Sequence, residues 1–239
     1  MADIRTALIT GASRGLGRVL AQWLAAQGAD LVLTARGAGA LENTARELAP
    51  FGRQVIALPR DVADAGHRRR LAAAAEQLGG LDLLVNNASI LGPSPLPALA
   101  HYPLEALEQV LEVNVLAPLG LVQATLPLLR RRHGLVINIS SDAAVGGYPG
   151  WGGYGASKAA LDLLSLTLAN ELAGDGVAVV SVDPGDMRTQ MHQDAFPGED
   201  ISDRPLPAAT LPFWVWLLGQ DQAAINGKRL AAQAEVWAV

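Results

Sequence analysis

The stretch Ala7-Leu8-Ile9-Thr10-Gly11-Ala12-Ser13-Arg14-Gly15-Leu16-Gly17 places a short apolar run directly before a glycine-rich turn. Apolar residues then recur at helical spacing as far as Ala26, which predicts a strand, a turn and a helix in succession. Glycines at such a turn let backbone N–H groups approach a phosphate at the helix N-terminus. We therefore predict a nucleotide phosphate site with these candidate residues: Gly11, Ser13, Arg14, Gly15, Leu16 and Gly17.

The same order of strand and helix recurs along the chain. Short apolar runs predict further strands at 31–34, 55–58, 81–85, 135–139 and 177–182. Helical periodicity predicts helices at 41–48, 67–78, 104–129 and 154–172. Continuous apolar strands that alternate with helices indicate a parallel sheet covered on both faces. Because such sheets bind cofactors at the carboxyl ends of their strands, the glycine-rich turn lies at the expected edge.

No linker, repeat or low-complexity tract divides the chain, so residues 1–239 are predicted to form a single domain. The least regular part is the segment 185–212, which contains several prolines and mixed charges. We interpret this segment as a candidate mobile substrate lobe over the site, with a plain surface loop as the alternative.

Composition argues against several classes of protein. The formal net charge of -5 disfavours nucleic-acid binding, because contacts to a phosphate backbone need a basic surface. The chain has no cysteine, and its four histidines are scattered without ligand spacing, so we expect no metal centre. Charged residues precede the first apolar run, unlike in a signal peptide, and the long uncharged stretches contain prolines and are too short for a membrane span. We expect a soluble cytoplasmic protein with no nucleic-acid or membrane partner.

The stretch Tyr154-Gly-Ala-Ser-Lys158 opens the predicted helix at 154–172. On a helix, Tyr154 and Lys158 lie four residues apart on one face. The pKa of free tyrosine is about 10, so proton transfer near neutral pH needs a pKa lower by about 3 units, or about 4 kcal/mol. A lysine charge about 4 Å away, helped by a cationic cofactor ring, supplies an interaction of that size. Because a solvated helix face shows the same spacing by chance, the pair alone does not decide the function.

The residue after the second predicted strand indicates which dinucleotide binds. An acidic residue there would bind a ribose 2′-hydroxyl, whereas Thr34-Ala35-Arg36 ends in an arginine. Arg36 and Arg14 together suit a 2′-phosphate, because a guanidinium fork matches phosphate oxygens. We predict NADP(H) over NAD(H), with two arginines at exposed element ends as the alternative. Asp61 and Val62 follow the third predicted strand and are expected near the adenine.

Asn114 lies inside the predicted helix at 104–129, four residues before Pro118. Proline has no N–H, so the α-helical hydrogen bond from residue 118 to the carbonyl of Asn114 cannot form. That carbonyl is then free to accept a hydrogen bond from water. The alternative is an ordinary proline kink beside a buried asparagine.

Six short motifs follow one another along the chain: Thr10 to Gly17, Asn86-Asn87-Ala88, Asn114, Ser140-Ser141, Tyr154 to Lys158, and Pro184-Gly185. They come in the order found in the short-chain dehydrogenase/reductase family, and the chain resembles that family over roughly residues 4–190. The resemblance implies a doubly wound parallel sheet of Rossmann type with helices on both faces. It also implies reversible hydride transfer between a nicotinamide and a small-molecule carbonyl or alcohol.

The resemblance assigns catalytic roles to four residues. Tyr154 is the general acid/base, Lys158 lowers its pKa and binds the nicotinamide ribose, and Ser141 orients the substrate oxygen. Ser141 is chosen over Ser140 because the family usually separates this serine from the tyrosine by thirteen residues. Asn114 connects a water to the lysine, which makes a proton path to solvent.

The remaining cofactor contacts also follow from the resemblance. Asn87 and Ala88 belong to the cofactor site, the turn Pro184-Gly185 lies beside the nicotinamide, and Thr189 is a candidate for its carboxamide. Ser89 replaces the glycine that the family usually has after Asn-Asn-Ala, which narrows the space near the nicotinamide ribose. The Asp-Gly pair that usually follows the last strand is absent.

Two other functions are open at this point. The sequence around Ser13 also fits G-x-S-x-G, the nucleophile turn of serine hydrolases, although that turn normally follows several strands. A non-catalytic nucleotide sensor or scaffold with the same fold is the second alternative. Candidate pocket residues are Leu91, Pro93, Ser94, Tyr148, Trp151, Met191 and Phe196, and apolar helices at 104–129 and 155–172 suggest a homodimer or homotetramer.

Overall fold

The computed structural model describes residues 4–234 and residue 237. Its centre is one parallel sheet whose strands are numbered in chain order. They are β1 (Thr6–Thr10), β2 (Asp30–Ala35), β3 (Val55–Pro59), β4 (Leu83–Asn86), β5 (Leu135–Ile139), β6 (Ala178–Asp183) and β7 (Arg229–Ala231). The spatial order in the described part of the chain is β3-β2-β1-β4-β5-β6-β7, and every neighbouring pair is parallel. This is a Rossmann-type α/β fold, as predicted.

Helices connect the strands and cover both faces of the sheet. They are α1 (Gly15–Ala26), α2 (Ala38–Leu48), α3 (Ala65–Gln77), α4 (Leu104–Leu111), α5 (Ala117–Arg132), α6 (Ala143–Gly146), α7 (Gly152–Leu172), α8 (Gln190–Ala195), α9 (Leu211–Leu217) and α10 (Gln222–Ile225). Short 3₁₀ turns lie at Ala49–Phe51, Leu99–His101, Ala173–Asp175 and Pro207–Thr210.

Successive residues of each strand enter different hydrophobic cores, because side chains of a strand point alternately to its two faces. Ile9 of β1 belongs to the core that includes residues of α1, α2 and α9. The preceding residue, Leu8, belongs to the core formed with α3, α5 and α7. All five residues of β1 are buried. This burial on both faces explains why the strands appear in the sequence as continuous apolar runs.

The predicted helix at 104–129 is longer than expected and contains a π turn. Helix α4, the turn Glu112–Leu116 and α5 form one helical segment from Leu104 to Arg132. Within the turn, the N–H of Ala117 bonds to the carbonyl of Glu112, five residues back. The turn lies directly before Pro118, whose missing N–H already prevents the ordinary α-helical bond to Asn114. Periodicity cannot distinguish a π turn from an α-helix, because one extra residue per turn changes the pattern very little.

This same segment is apolar and long enough to cross a membrane by length and composition alone. Of its most apolar window, 44% is buried inside the protein. Residues Leu121, Val122 and Leu129 belong to the core beneath the sheet. We therefore interpret Leu104–Arg132 as a core helix.

The segment 185–212 is more ordered in its backbone than a plain loop. It contains α8 and the 3₁₀ turn Pro207–Thr210, and the N–H of Arg188 donates to the carbonyl of Pro205 at 2.8 Å. Residues of α8 border the cavity described below. Its mobility stays a prediction.

The last strand reaches the same region from the other side. Gln233, two residues after β7, donates through Nε2 to the carbonyls of Pro184 and Asp186, both at 2.9 Å. These bonds connect the C-terminal part of the chain to the turn after β6. The residues that follow Ala234, apart from Trp237, lie outside the described part.

Candidate active site

Residues at or just after the carboxyl ends of β1 to β6 line a cavity of about 1040 Å³. Most of the predicted site residues are part of its wall. They are Gly11, Ser13, Arg14, Gly15, Leu16, Arg36, Asp61, Val62, Asn87, Ala88, Ser141, Tyr154, Lys158, Pro184, Gly185 and Thr189. Two predicted residues, Gly17 and Asn114, do not line the cavity. They contact residues that do or that adjoin it: Gly17 packs against Gly11 and Asn87, and Asn114 bonds to Ser157.

The glycine-rich turn has the conformation that its sequence predicts. Gly11 and Gly15 have φ values of 67° and 57°, in the left-handed region that favours glycine. The N-terminus of α1 has no side-chain cap and no acidic residue in its first turn. Its free N–H groups and the partial positive charge of the helix suit an anionic phosphate. The turn therefore fits the pyrophosphate of a dinucleotide.

Gly17 has a packing role, and its predicted contact with the cofactor stays a prediction. A Cβ atom at Gly17 would lie 2.5 Å from the carbonyl oxygen of Gly11 and 2.6 Å from Nδ2 of Asn87. Only a hydrogen atom fits between these groups. Gly17 thus lets α1 approach the turn closely.

Asn87 and Thr10 hold the turn in shape. Nδ2 of Asn87 donates to the carbonyls of Thr10 at 2.9 Å and Gly11 at 3.2 Å. The N–H groups of Asn87 and Ala88 donate to Oγ1 of Thr10 at 3.0 and 2.9 Å. The threonine hydroxyl was missed as a site residue, although it belongs to the quoted motif. These bonds join the ends of β1 and β4, where the strand order reverses.

Arg14 and Arg36 are exposed cations that line the cavity, Arg14 directly before α1 and Arg36 directly after β2. Neither side chain forms an ion pair or hydrogen bond within the described part of the chain. In contrast, the neighbouring Arg18 pairs with Glu47 at 2.6 Å and Arg60 pairs with Asp64 at 2.6 Å. Two unpaired guanidinium groups on one cavity wall suit a phosphate dianion.

Tyr154 and Lys158 lie on the first turns of α7, four residues apart as predicted. Both are buried: Tyr154 is 8% exposed and Lys158 only 2%. Nζ of Lys158 donates to the carbonyl of Ile139 at 2.7 Å and lies 5.4 Å from the centroid of the Tyr154 ring. Burial lowers the pKa of Lys158 to about 8, partly offset by the nearby carboxylate of Asp162.

The expected effect of Lys158 on Tyr154 is not found in the protein by itself. Burial raises the pKa of Tyr154 well above its ordinary value, and the carboxylates of Asp183 and Asp142 raise it further. The hydroxyls of Ser89 and Ser141 lower it, but by less than burial raises it. Spacing along a helix does not reveal how much water the fold removes from the phenol. That Lys158 and a cationic cofactor ring together lower the pKa of Tyr154 stays a prediction.

The side chain of Asn114 is fully hydrogen bonded. Its Oδ1 accepts from the N–H of Ile90 at 2.9 Å and from Oγ of Ser89 at 3.1 Å. Its Nδ2 donates to the carbonyl of Ile90 at 2.9 Å and to Oγ of Ser157 at 3.0 Å. Ser157 in turn donates to the carbonyl of Tyr154 at 2.6 Å. The asparagine therefore joins the segment after β4 to the N-terminal part of α7, which contains Tyr154 and Lys158.

The two candidate serines after β5 occupy different environments. Ser140 is 1% exposed, and its Oγ has no hydrogen-bond partner in the described part of the chain. Ser141 is half-buried, donates through Oγ to Oδ1 of Asp142 at 3.0 Å, and acts on the pKa of Tyr154. The geometry favours Ser141 as the group beside the tyrosine.

An apolar wall stands beside the phenol. Leu91, Trp151, Met191 and Phe196 pack with Tyr154 in one cluster and line the cavity. The ring centroids of Trp151 and Tyr154 are 5.8 Å apart. Of the other predicted pocket residues, Tyr148 lines the cavity, whereas Pro93 and Ser94 do not.

Comparison with known proteins identifies the family. The family described as "short chain dehydrogenase" matches residues 5–200. The chain belongs to the short-chain dehydrogenase/reductase family. As a member of that family it is an oxidoreductase of carbonyl or alcohol substrates that uses a nicotinamide cofactor. This assignment contradicts the hydrolase alternative built on Ser13.

Individual short-chain dehydrogenases similar to this one cover almost its whole length. A rhamnolipid biosynthesis 3-oxoacyl-[acyl-carrier-protein] reductase of Pseudomonas aeruginosa is 38% identical, over 92% of this chain and 87% of its own. A short-chain dehydrogenase from Shigella flexneri, solved in complex with NADP, is 32% identical with a TM-score of 0.89, covering 96% of this chain and 97% of its own. An uncharacterised NAD-dependent oxidoreductase of Mycobacterium tuberculosis is 34% identical, over 95% of this chain and 93% of its own.

Proposed function

We propose that this protein is an NADP(H)-dependent dehydrogenase/reductase in which Tyr154 is the general acid/base. The observation that carries the proposal is the single cavity that contains Tyr154, Lys158 and Ser141 together with the glycine-rich turn. A protein that only senses a nucleotide has no need for a buried tyrosine, lysine and serine at one point of its wall. When bound, the nicotinamide supplies or accepts the hydride.

The residues that would bind the cofactor follow the cavity from end to end. The glycine-rich turn and the N-terminus of α1 would bind the pyrophosphate, and Asp61 and Val62 would contact the adenine. Arg14 and Arg36 would bind the 2′-phosphate. Asn87 and Ala88 would contact the cofactor at the other end of the cavity, where Tyr154 and Lys158 would bind the nicotinamide ribose. The nicotinamide itself would contact Pro184, Gly185 and Thr189.

The protein's part in the reaction is to move one proton and to hold the substrate oxygen. In reduction, Tyr154 donates its phenolic proton to that oxygen and becomes a phenolate. Ser141 turns its hydroxyl from Asp142 towards the same oxygen. Lys158, charged below pH 8, stabilises the phenolate. Because burial disfavours the phenolate, we infer that the positive ring of the oxidised cofactor completes this stabilisation.

After reduction, Tyr154 would regain its proton from solvent along a path of water molecules near Asn114. Its side chain holds Ser89, Ile90 and Ser157 in place, and Ser157 bonds to the carbonyl of Tyr154. We propose that the main-chain carbonyl of Asn114, which has no α-helical donor at Pro118, binds the first water of the path.

The apolar wall of Leu91, Trp151, Met191 and Phe196 favours substrates with an apolar group beside the carbonyl. Among the similar proteins is the 3-oxoacyl-[acyl-carrier-protein] reductase of Pseudomonas aeruginosa. We therefore infer aryl ketones, alkyl ketones and 3-oxoacyl thioesters as the first compounds to screen for NADPH oxidation.

We also propose one domain over residues 1–239, a lobe at 185–212 that covers the substrate, and a homo-oligomeric assembly.

The mechanism predicts the effect of one hydroxyl. Tyr154→Phe removes the proton donor and should lower kcat for NADPH-dependent reduction by about a hundredfold or more, with NADPH binding retained. Tyr148→Phe is the matched control, because Tyr148 lines the same cavity but is 46% exposed, whereas Tyr154 is buried. Steady-state kinetics with the best carbonyl from the screen and NADPH fluorescence titration measure both effects. Unchanged turnover in Tyr154→Phe would refute the mechanism, and NADPH binding without turnover of any compound would favour the sensor.

The choice of NADP(H) predicts a second substitution effect. Arg36→Asp replaces a cation by an anion that repels a 2′-phosphate and accepts from a 2′-hydroxyl, so the kcat/KM ratio of NADPH to NADH should fall about a hundredfold. Arg36→Lys keeps the charge and should keep the preference for NADPH. Equal ratios in the wild-type protein and Arg36→Asp would contradict the 2′-phosphate site.

A further inference from the structure

A single arginine on the last strand bonds to three elements that surround Tyr154 and Lys158. Nη2 of Arg229 donates to the carbonyl of Ser141 at 2.7 Å and approaches Oδ2 of Asp183 at 3.4 Å. Its Nε donates to Oδ2 of Asp162 on α7 at 2.9 Å. One guanidinium thus connects the ends of β5 and β6 with the middle of α7.

The sheet register explains this meeting of residues that are distant in sequence. Arg229 of β7 pairs with Ser181 of β6, and Asp183 lies two residues further along the same strand. Residues two apart on a strand share a face, and Val179 places that face against α7. Asp162 is on α7, one helical turn after Lys158.

The cluster of Arg229, Asp162 and Asp183 contains two carboxylates and one cation, and both carboxylates are largely shielded from water. The side chains of Asp183 and Asp162 are 11% and 16% exposed, and Arg229 is the cation that pairs with both. Oδ1 of Asp183 also accepts from the N–H of Gly185 at 3.0 Å, whereas Oδ1 of Asp162 has no partner in the described part. The side chain of Arg229 is 31% exposed, so its removal leaves two largely buried carboxylates without the cation that pairs with them from the edge of the cluster.

Both carboxylates act on the catalytic groups. Asp183 raises the pKa of Tyr154, as does Asp142 from the segment after β5. Asp162 raises the pKa of Lys158 and so opposes the effect of burial. Burial raises the pKa of Asp183, and the N–H of Gly185 and the positive charge of Arg229 oppose this rise. From α7 itself, the ammonium group of Lys158 lies 5.4 Å from the centroid of the Tyr154 ring.

We propose that Arg229 is a positioning residue for catalysis: it holds the Ser141 carbonyl in place and balances the charge of Asp183 beside Tyr154. The proposal rests on the proposed function, because it assumes that Tyr154 ionises during turnover and that the turn Pro184–Gly185 lies beside the nicotinamide. Arg229 touches neither substrate nor cofactor in this scheme.

The first test is the pH profile of alcohol oxidation with NADP⁺, in which the phenolate form of Tyr154 is the active one. Arg229→Gln leaves Asp183 without its cation, so the midpoint of the rising limb should move up by about one pH unit, the size expected of one charge near a phenol. Asp183→Asn added to Arg229→Gln should restore the midpoint. Asp183→Asn alone should lower it. A purely structural role of Arg229 would lower kcat without this pattern of shift and rescue.

The second test uses NADP⁺ and NADPH as binding probes and needs no turnover. An uncompensated carboxylate beside the nicotinamide favours the positively charged ring, so Arg229→Gln should raise the ratio of the NADPH Kd to the NADP⁺ Kd about fivefold. The double variant should return to the wild-type ratio. Arg53→Gln is the matched control, because it also removes an arginine from an ion pair. Arg53 pairs with Asp30 at 2.8 Å, and neither residue lines the cavity.

The outcomes separate this inference from the function on which it rests. A wild-type protein that binds neither NADP⁺ nor NADPH would overturn both. Wild-type turnover with unchanged midpoints and Kd ratios in Arg229→Gln would overturn the role of Arg229 alone. If Arg229→Gln fails to fold, Arg229→Lys keeps the charge and should keep the midpoint while losing several-fold in kcat. A shifted midpoint in Arg229→Lys, or no shift in Asp183→Asn alone, would also contradict the proposal.

Discussion

At the scale of one residue, burial of the Lys158 ammonium group lowers the stability of the folded protein. Its ammonium group is 2% exposed, with the carbonyl of Ile139 as its described hydrogen-bond partner. Burial lowers its pKa from the usual 10.5 to about 8, which corresponds to about 3 kcal/mol of differential interaction. The carboxylate of Asp162 offsets part of the desolvation, but it bonds to Arg229 instead. The role that we propose for Lys158 in catalysis therefore requires a charge that stability alone would remove.

We predict that Lys158→Met stabilises the protein by about 1–3 kcal/mol at pH 7 while it abolishes reduction, because methionine fills the space without a buried charge. The free energy of unfolding from urea titrations measures the gain. Lys158→Arg is the control, since it keeps the charge in the same apolar surroundings and should not stabilise. A less stable Lys158→Met variant at pH 7 would show that the bond to Ile139 outweighs the desolvation.

The pH dependence of this difference has a definite sign. Between pH 8 and 10.5 the unfolded chain keeps the lysine proton and the folded protein has lost it. Since the unfolded state then binds more protons, the stability contribution of Lys158 improves as pH rises through this window. The advantage of Lys158→Met should therefore be largest below pH 8 and shrink above it. Urea titrations at pH 7 and pH 9.5 measure the change, and a constant difference would contradict the lowered pKa.

At the scale of elements, the position of α1 depends on the absence of a side chain at Gly17. The helix approaches the turn after β1 so closely that a Cβ at Gly17 would overlap the carbonyl of Gly11 and the amide of Asn87. The same amide holds the turn through the carbonyls of Thr10 and Gly11. Displacing α1 would therefore also displace the phosphate site.

We predict that Gly17→Ala destabilises the protein by about 2–3 kcal/mol, because backbone atoms must move to admit the methyl group. Gly39→Ala is the matched control on α2, where a Cβ meets nothing within 4 Å. Alanine there should stabilise by about 0.5 kcal/mol through helix propensity. Urea unfolding midpoints measure both, and NADPH titration of Gly17→Ala should show weaker binding. Equal midpoints for the two variants would refute the close packing of α1.

At the scale of the whole molecule, an apolar surface remains uncovered on the helices that flank the catalytic turn. It consists of Leu104, Leu116, Leu163 and Leu166, which are 70%, 51%, 66% and 46% exposed. These residues lie on α4, on the π turn and on α7, which contact one another. Several large exposed apolar residues on adjoining helices are typical of an interface. They agree with the homo-oligomer that we propose.

We predict that Leu163→Glu converts this oligomer into monomers, because it buries a charge at the contact while leaving the monomer core unchanged. Phe51→Glu is the matched control, since Phe51 is 41% exposed on the 3₁₀ turn after α2. Sedimentation velocity at micromolar concentration measures the mass of both. The same mass for Leu163→Glu and the wild-type protein would exclude this surface as the interface.

The amino-acid sequence by itself determined the alternation of strands and helices, the parallel sheet and most of the residues around the cavity. These features depend on local pattern: a strand buried on both faces is continuously apolar, and glycine is favoured where φ is positive. The motif of Tyr154 and Lys158 was likewise visible, because four residues make one turn of a helix.

Only the tertiary structure decided what surrounds that pair. The packing of the whole chain removes water from Tyr154 and Lys158, and this desolvation raises the pKa of the tyrosine and lowers that of the lysine. Arg229 meets the carbonyl of Ser141 across 88 positions of sequence because parallel strands bring their carboxyl ends to one edge. Contacts of this kind depend on register and burial in three dimensions, and no local pattern of residues contains them.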